Sequence, residues 1–164
     1  LAGSLLDVGC GLGDGLRLMR RNMSRISSFA GTDFSDEAIR KNSENDSLAG
    51  IEFFVHDIHQ PLERTYDNII CLQTLEHLPE PAVAMNNLIN ATDGVLIAAS
   101  PYKNRRPDEN HLWSFDETDF ADEAVSFLDK RKRNIFWVVD KRPKGARLRR
   151  RDLPLFVDKL LARI

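Results

Sequence analysis

Residues 5–15 read Leu5-Leu6-Asp7-Val8-Gly9-Cys10-Gly11-Leu12-Gly13-Asp14-Gly15. A short apolar run breaks into alternating glycines and then resumes at helical spacing, which predicts a buried strand, a tight loop and a helix start. Glycines suit such a loop because it must turn sharply and because a side chain would hold the backbone away from a ligand lying across it, with a helix N-terminus behind. The stretch therefore reads as a nucleotide-binding turn. Its spacing is not that of the dinucleotide fingerprint G-x-G-x-x-G/A. Alignment on Gly9 and Gly11 puts Asp14 at the third small position, and alignment on Gly11 and Gly13 puts Leu16 there.

Downstream, Leu16, Met19 and Met23 recur at helical spacing between Arg17, Arg20 and Arg21, predicting an amphipathic helix. The run from Ile26 to Gly31 reads as a second strand ending at Thr32-Asp33. Ser35 is placed to cap the next helix, with Asp36 and Glu37 in its first turn. Ile51 to Val55 and Asn68 to Leu72 read as the third and fourth strands. After the latter, Pro79 and Pro81 restart the chain as a helix with Val83, Leu88 and Ile89 inward. Asp93-Gly94 reads as a turn into a fifth strand, Val95 to Ala99. Strand alternating with helix means a parallel sheet covered on both faces, with its ligand crevice at the strand C-termini.

From Lys103 the pattern changes. Residues 103–110 form a polar loop, 113–122 hold a short helical piece, and Val125 to Asp129 and Ile135 to Val139 read as two strands joined by Lys130-Arg131-Lys132-Arg133. Residues 142–164 form a basic linker and an amphipathic helix capped by Asp152, whose stripe of Leu153, Phe156, Val157, Leu160, Leu161 and Ile164 needs an apolar partner. Packing on the body, on a second copy in a homodimer, or on a membrane surface would each supply one. We assign 1–141 to the main body and 142–164 to its C-terminal extension.

Length and composition narrow the field. A chain of 164 residues is one domain, able to bury roughly 70% of its unfolded surface. With 42% hydrophobic and 29% charged residues it reads as soluble and globular, and no apolar run nears the roughly 18 residues that span a bilayer. Two cysteines, Cys10 and Cys71, are too few for a disulfide frame, so the cytoplasm is the expected compartment. No Asp/Glu/His group has metal-ligand spacing, and no metal is expected. The net charge of −2 hides an asymmetry: residues 1–129 carry 10 Lys/Arg against 22 Asp/Glu, and 130–164 carry 13 against 3. The basic end is either a solvated face near its own acidic body or a contact for an anion such as nucleic acid, the former being favoured.

Asp7 followed by Gly9, Gly11 and Gly13 resembles motif I of the class I S-adenosylmethionine-dependent methyltransferases. Asp33, Asp57, Glu76-His77-Leu78-Pro79 and His111-Leu112-Trp113-Ser114-Phe115-Asp116 fall at matching intervals, as in the group acting on small molecules and sugars. The resemblance covers about residues 5–140. It implies a Rossmann-like, doubly wound, seven-stranded, mostly parallel α/β sheet with a C-terminal antiparallel hairpin, here without the family's usual N-terminal helices. Either the chain is a fragment, or its pocket is open or completed by another element. The implied cofactor is S-adenosylmethionine, leaving as S-adenosylhomocysteine, with Asp7, Gly9, Cys10, Gly11, Gly13, Asp33, Phe34, Asp57, Ile58 and Gln73 around it.

Asp33 would accept hydrogen bonds from both ribose hydroxyls, unless it is only a helix-entry residue. By the resemblance Asp57 would take the adenine amino group with Ile58 supporting the ring, unless it is only a turn aspartate. Asp7 would orient the loop. Transfer to a hydroxyl needs a base, and His111 first and His77 second are placed for it, a structural role for either being an equal alternative. The expected activity is O-methylation of a small or sugar-like acceptor. The alternatives are an RNA methyltransferase and a non-catalytic cofactor-binding module. Ser100-Pro101-Tyr102 has one proline and follows the wrong strand to be the signature of amino-methylating enzymes.

Overall fold

The computed structural model describes residues 1–103, 111–120, 124–131 and 133–148. The chain runs through β1 (Gly3–Val8), α1 (Asp14–Asn22), β2 (Ile26–Asp33), α2 (Asp36–Ser43), β3 (Glu52–Val55), β4 (Tyr66–Leu72), α3 (Pro81–Asn90), β5 (Thr92–Pro101), β6 (Phe127–Arg131) and β7 (Asn134–Asp140). The strands form one sheet in the order β3-β2-β1-β4-β5-β7-β6. The first five are parallel, while β7 enters antiparallel to β5 and pairs with β6 as a hairpin. This is the sheet plan expected from the sequence.

The central strands are apolar on both faces because helices cover both. On one face Leu6, Val8, Ile69, Cys71, Leu96 and Trp137 pack with Ala84, Met85 and Leu88 of α3. On the other, Leu5 and Ile70 pack with Leu16 and Met19 of α1 and Ile39 of α2. Each such fully buried Leu or Ile stabilises the fold by roughly 1.5–3 kcal/mol. Ser35 caps α2 as its position predicts, its Oγ accepting from the Ala38 N–H at 3.2 Å.

Four details differ from expectation. Val83 faces solvent, and the inner side of α3 is Pro81, Ala84, Met85 and Leu88. The Pro81 start sets the phase of that helix, and its mixed apolar pattern concealed it. Asp93 and Gly94 lie within β5, where a Cβ on Gly94 would stand 2.5 Å from the Asp67 carbonyl oxygen. That glycine permits a close strand approach rather than a turn. Lys130 and Arg131 belong to β6, so the hairpin is tighter than four residues, with Arg131 opposite Asn134. In the described part of 113–122, residues 117–120 form a turn. The C-terminal helix expected after Asp152 and all but Lys103 of the polar loop lie outside the described residues. No helix among the described residues is long and apolar enough to cross a membrane.

Candidate cofactor cleft and acceptor side

Strand order reverses between β1 and β4, the position at which open α/β sheets bind ligands. A cleft of about 570 Å³ opens there, lined by Val8, Gly9, Thr32, Asp33, Phe34, His56, Asp57, Ile58, His59, Gln73, Thr74, His77, Leu78 and Pro79. That volume suits a small-molecule ligand. Gly9, Asp33, Phe34, Asp57, Ile58, Gln73 and His77, all picked out in the sequence, therefore share one wall system.

Gly9 and Gly11 adopt φ of +73° and +50°. Gly9 has no room for a side chain, since a Cβ would stand 2.2 Å from Thr74 Oγ1. The loop's N–H groups are turned inward. Gly9 and Cys10 donate to the Thr32 carbonyl at 2.9 and 3.0 Å, Gly13 to the Cys10 carbonyl at 2.9 Å, and Gly11 to Asp33 Oδ2 at 2.9 Å. A phosphate-binding loop must present such donors to its ligand. Here four are already engaged, so the loop offers shape and backbone surface rather than an anion cradle.

Asp33 holds the tip of β2. Its Oδ2 takes the Gly11 N–H and its Oδ1 the Ser35 N–H at 3.0 Å. Each carboxylate oxygen retains a further acceptor site for a ligand hydroxyl. Asp7 lies beneath the loop, 7% exposed. Burial, and secondarily the charge of Asp33, push its carboxyl up to about 7. Cys10 is buried. Its thiol faces Asn42 at 3.8 Å among core residues, and burial pushes its pKa strongly upward. Asp7, Cys10, Gly11 and Gly13 are not among the residues that line the cleft.

Asp57 accepts the His59 N–H at 3.0 Å and faces His59 Nδ1 at 2.8 Å, contacts that hold its carboxyl below the usual range. Nε2 of His59 is buried without a hydrogen-bond partner among the described residues. Gln73 sits at φ +54°, its N–H donating to the Ala99 carbonyl at 2.8 Å and its Nε2 to Asn134 Oδ1 at 3.2 Å. A non-glycine residue in that region is a local strain of the kind found at binding sites.

The two candidate histidines meet. His77 ends the 3-10 turn Leu75–His77, and the segment after β5 is tied onto that turn by the Leu112 N–H donating to the Glu76 carbonyl at 2.8 Å and Trp113 Nε1 to the Leu78 carbonyl at 2.7 Å. The rings of His77 and His111 lie 4.9 Å apart, centroid to centroid. His77 lines the cleft, and His111 is not among the lining residues. Glu76 is 1% exposed, with Oε2 accepting from Ser100 Oγ at 2.8 Å and Oε1 without a partner among the described residues.

One ligand atom from each of Glu76, His77 and His111 lies within 4.8 Å of the others. The linear sequence showed no such group because its members come from different strand-end segments. Sequence reasoning likewise missed Thr74, His56 and His59, for which it held no spacing pattern. Ser100 and Tyr102 have local roles, Tyr102 donating from its hydroxyl to Glu117 Oε1 at 2.7 Å. Lys130 also pairs with Glu117 at 2.7 Å and Arg142 with Asp140 at 2.6 Å, so part of the basic end is neutralised by nearby acids.

The methyltransferase domain family matches residues 1–134. Among curated proteins, the chain is 28% identical over 106 residues to the ubiquinone biosynthesis O-methyltransferase of Neisseria meningitidis serogroup C (strain 053442), covering 61% of this chain and 44% of that one. It is 34% identical over 90 residues to the protein of the same name from Acinetobacter baylyi (strain ATCC 33305 / BD413 / ADP1), covering 50% and 36%. The chain thus spans less than half the length of these relatives. Magnesium protoporphyrin IX methyltransferase from Synechocystis PCC 6803, with bound S-adenosylhomocysteine, superposes with a TM-score of 0.66 at 18% identity, over 84% of this chain and 74% of that one.

Proposed function

The chain belongs to the class I S-adenosylmethionine-dependent methyltransferase domain family, and from that premise we propose that it transfers the methyl group to a hydroxyl oxygen of a small-molecule acceptor. The observation that carries this reading is the β1/β4 cleft lined by both Asp33 and His77, the latter's ring 4.9 Å from that of His111. The oxygen preference draws support from the O-methyltransferases to which the chain is similar.

When bound, the cofactor supplies a methyl group already activated on a sulfonium. The protein's part is therefore alignment, exclusion of water and removal of the acceptor's proton. Asp33 would fix the ribose through its remaining acceptor sites, while Gly9 gives the backbone close approach. Asp57 and Ile58 would define the adenine end, and Gln73 would lie beneath the methionine portion. Phe34, 79% exposed and part of the cleft lining, would cover the site. The cluster of His111 and His77 promotes loss of the hydroxyl proton on the acceptor side.

Calorimetric titration of the wild type and Asp33→Ala with S-adenosylmethionine, S-adenosylhomocysteine and NAD tests the cofactor assignment. The sulfonium cofactor and its product should bind and NAD should not. Asp33→Ala should weaken binding by about 1.5–3 kcal/mol, the worth of hydrogen bonds to a charged group. Binding of NAD in place of the sulfonium cofactor would overturn the reading.

A further inference from the structure

We infer that His59 is a positioning residue that sets the cleft's preference for a 6-amino over a 6-oxo purine, by holding the Asp57 carboxylate in place. The placement of the base at Asp57 belongs to the cofactor reading proposed above, and this inference rests on it.

Asp57 and His59 both line the cleft, the Asp57 side chain 46% exposed and the His59 ring only 18%. An exposed carboxylate samples several rotamers, and fixing it for a ligand costs entropy. Here two donors converge on a single oxygen. The His59 N–H donates to Asp57 Oδ1 at 3.0 Å, and ring Nδ1 meets the same oxygen at 2.8 Å. An ionised carboxylate only accepts, so the ring presents a proton at Nδ1. Among the described residues none donates to Oδ2, which stays open to a ligand donor. The backbone contact first and the ring contact second hold the carboxyl below its usual range, favouring the charged, accepting form. The far edge of the ring, at Nε2, is buried. The imidazole is thus seated in the protein, and the more exposed carboxylate is held by it.

The backbone around the pair is fixed separately. The His56 N–H donates to the Asp33 carbonyl at 3.1 Å, the Gln60 N–H to the Asp57 carbonyl at 2.8 Å, and Asn87 Nδ2 to the Ile58 carbonyl at 2.8 Å. With the turn tied to β2 and α3, the freedom left to Asp57 lies in its side-chain torsions, and His59 takes it up. The consequence is selectivity. The exocyclic amino group of adenine donates to an accepting oxygen, whereas the 6-oxo group of hypoxanthine would set two acceptors face to face. A site built around one donor rejects the analogue that lacks it, provided the acceptor cannot swing away.

The test titrates the full chain by calorimetry with S-adenosylhomocysteine and with its 6-oxo analogue, S-inosylhomocysteine. The wild type should prefer the former by about 100-fold or more. His59→Leu should weaken S-adenosylhomocysteine by about 10-fold, the worth of one hydrogen bond to a charged group, and leave the 6-oxo analogue near its wild-type affinity. His59→Asn, whose amide nitrogen can take the place of ring Nδ1, should restore the preference. A merely structural role would weaken both ligands alike and would not be rescued in this way. Nitrogen-15 imidazole spectra of the ligand-free wild type should show His59 with a proton on Nδ1, a readout that needs neither a ligand nor a folded variant. A ring protonated at Nε2 alone, an unchanged preference in His59→Leu, or equal weakening of both ligands would overturn the role of His59 while the cofactor reading stands. Failure of the folded wild type to bind S-adenosylhomocysteine would overturn the cofactor reading, and this inference with it.

Discussion

Replacing Asp7 by Asn should make the ligand-free protein more stable at neutral and alkaline pH, with a gain that disappears in acid. Asp7 is 7% exposed, and its carboxyl is pushed from the ordinary 3.8 up to about 7, first by burial and then by the charge of Asp33. At about 1.4 kcal/mol per pH unit, ionised Asp7 destabilises the folded state by on the order of 4 kcal/mol. Below the unfolded value both states are protonated and the acid behaves like the amide. Between about pH 4 and 7 the folded state keeps a proton that the unfolded state has lost, so wild-type stability falls with rising pH relative to Asp7→Asn. Above about pH 7 the difference levels off.

Urea unfolding of both proteins from pH 4 to 8.5 would measure this as a difference. Asp67 and Glu117 are held low by the Ser4 N–H and by Lys130 respectively, so their stabilisation fades in acid. That loss is common to both proteins and cancels. A difference independent of pH, or an Asp7→Asn protein less stable than wild type at pH 8, would refute the assignment of a buried, proton-retaining Asp7.

Gly9→Ala should destabilise by more than about 1 kcal/mol, because φ is +73° and the new Cβ would stand 2.2 Å from Thr74 Oγ1; denaturant midpoints would measure it. His111→Ala should slow turnover of an accepted hydroxyl substrate by about 10²–10⁴-fold while S-adenosylmethionine affinity stays close to wild type. Steady-state kinetics beside calorimetry would check this, and unchanged turnover would remove His111 from the acceptor chemistry.

Much of the fold was readable because local and global signals agree. The apolar runs at Leu5, Ile26, Asn68 and Val95 are strands, Ser35 is a cap, and the glycine spacing departs from that of a dinucleotide loop. What escaped reading depends on third dimensions of packing. The phase of α3 hides because apolar residues occur on more than one of its sides, and only contact with the sheet selects Met85 over Val83. Gly94 looks like a turn glycine until its neighbour strand is seen to crowd it. Candidate site residues were legible where one segment carries them, as with Asp33 and Asp57. They were not where two distant segments converge, as when Ser100 reaches Glu76 and the ring of His111 meets that of His77.

The link from Gln73 to Asn134 has a consequence for how the chain matures during synthesis. Gln73 belongs to the cleft floor, yet its side chain is steadied by the first residue of β7, and the Pro101 end of β5 pairs with the same residue. Strands β1 to β5 can form their parallel ladder as they leave the ribosome, but the floor is finished only when residue 134 has emerged and the hairpin has closed on the sheet. The order of the cleft floor is thus coupled to closure of the β6–β7 hairpin on the edge of β5.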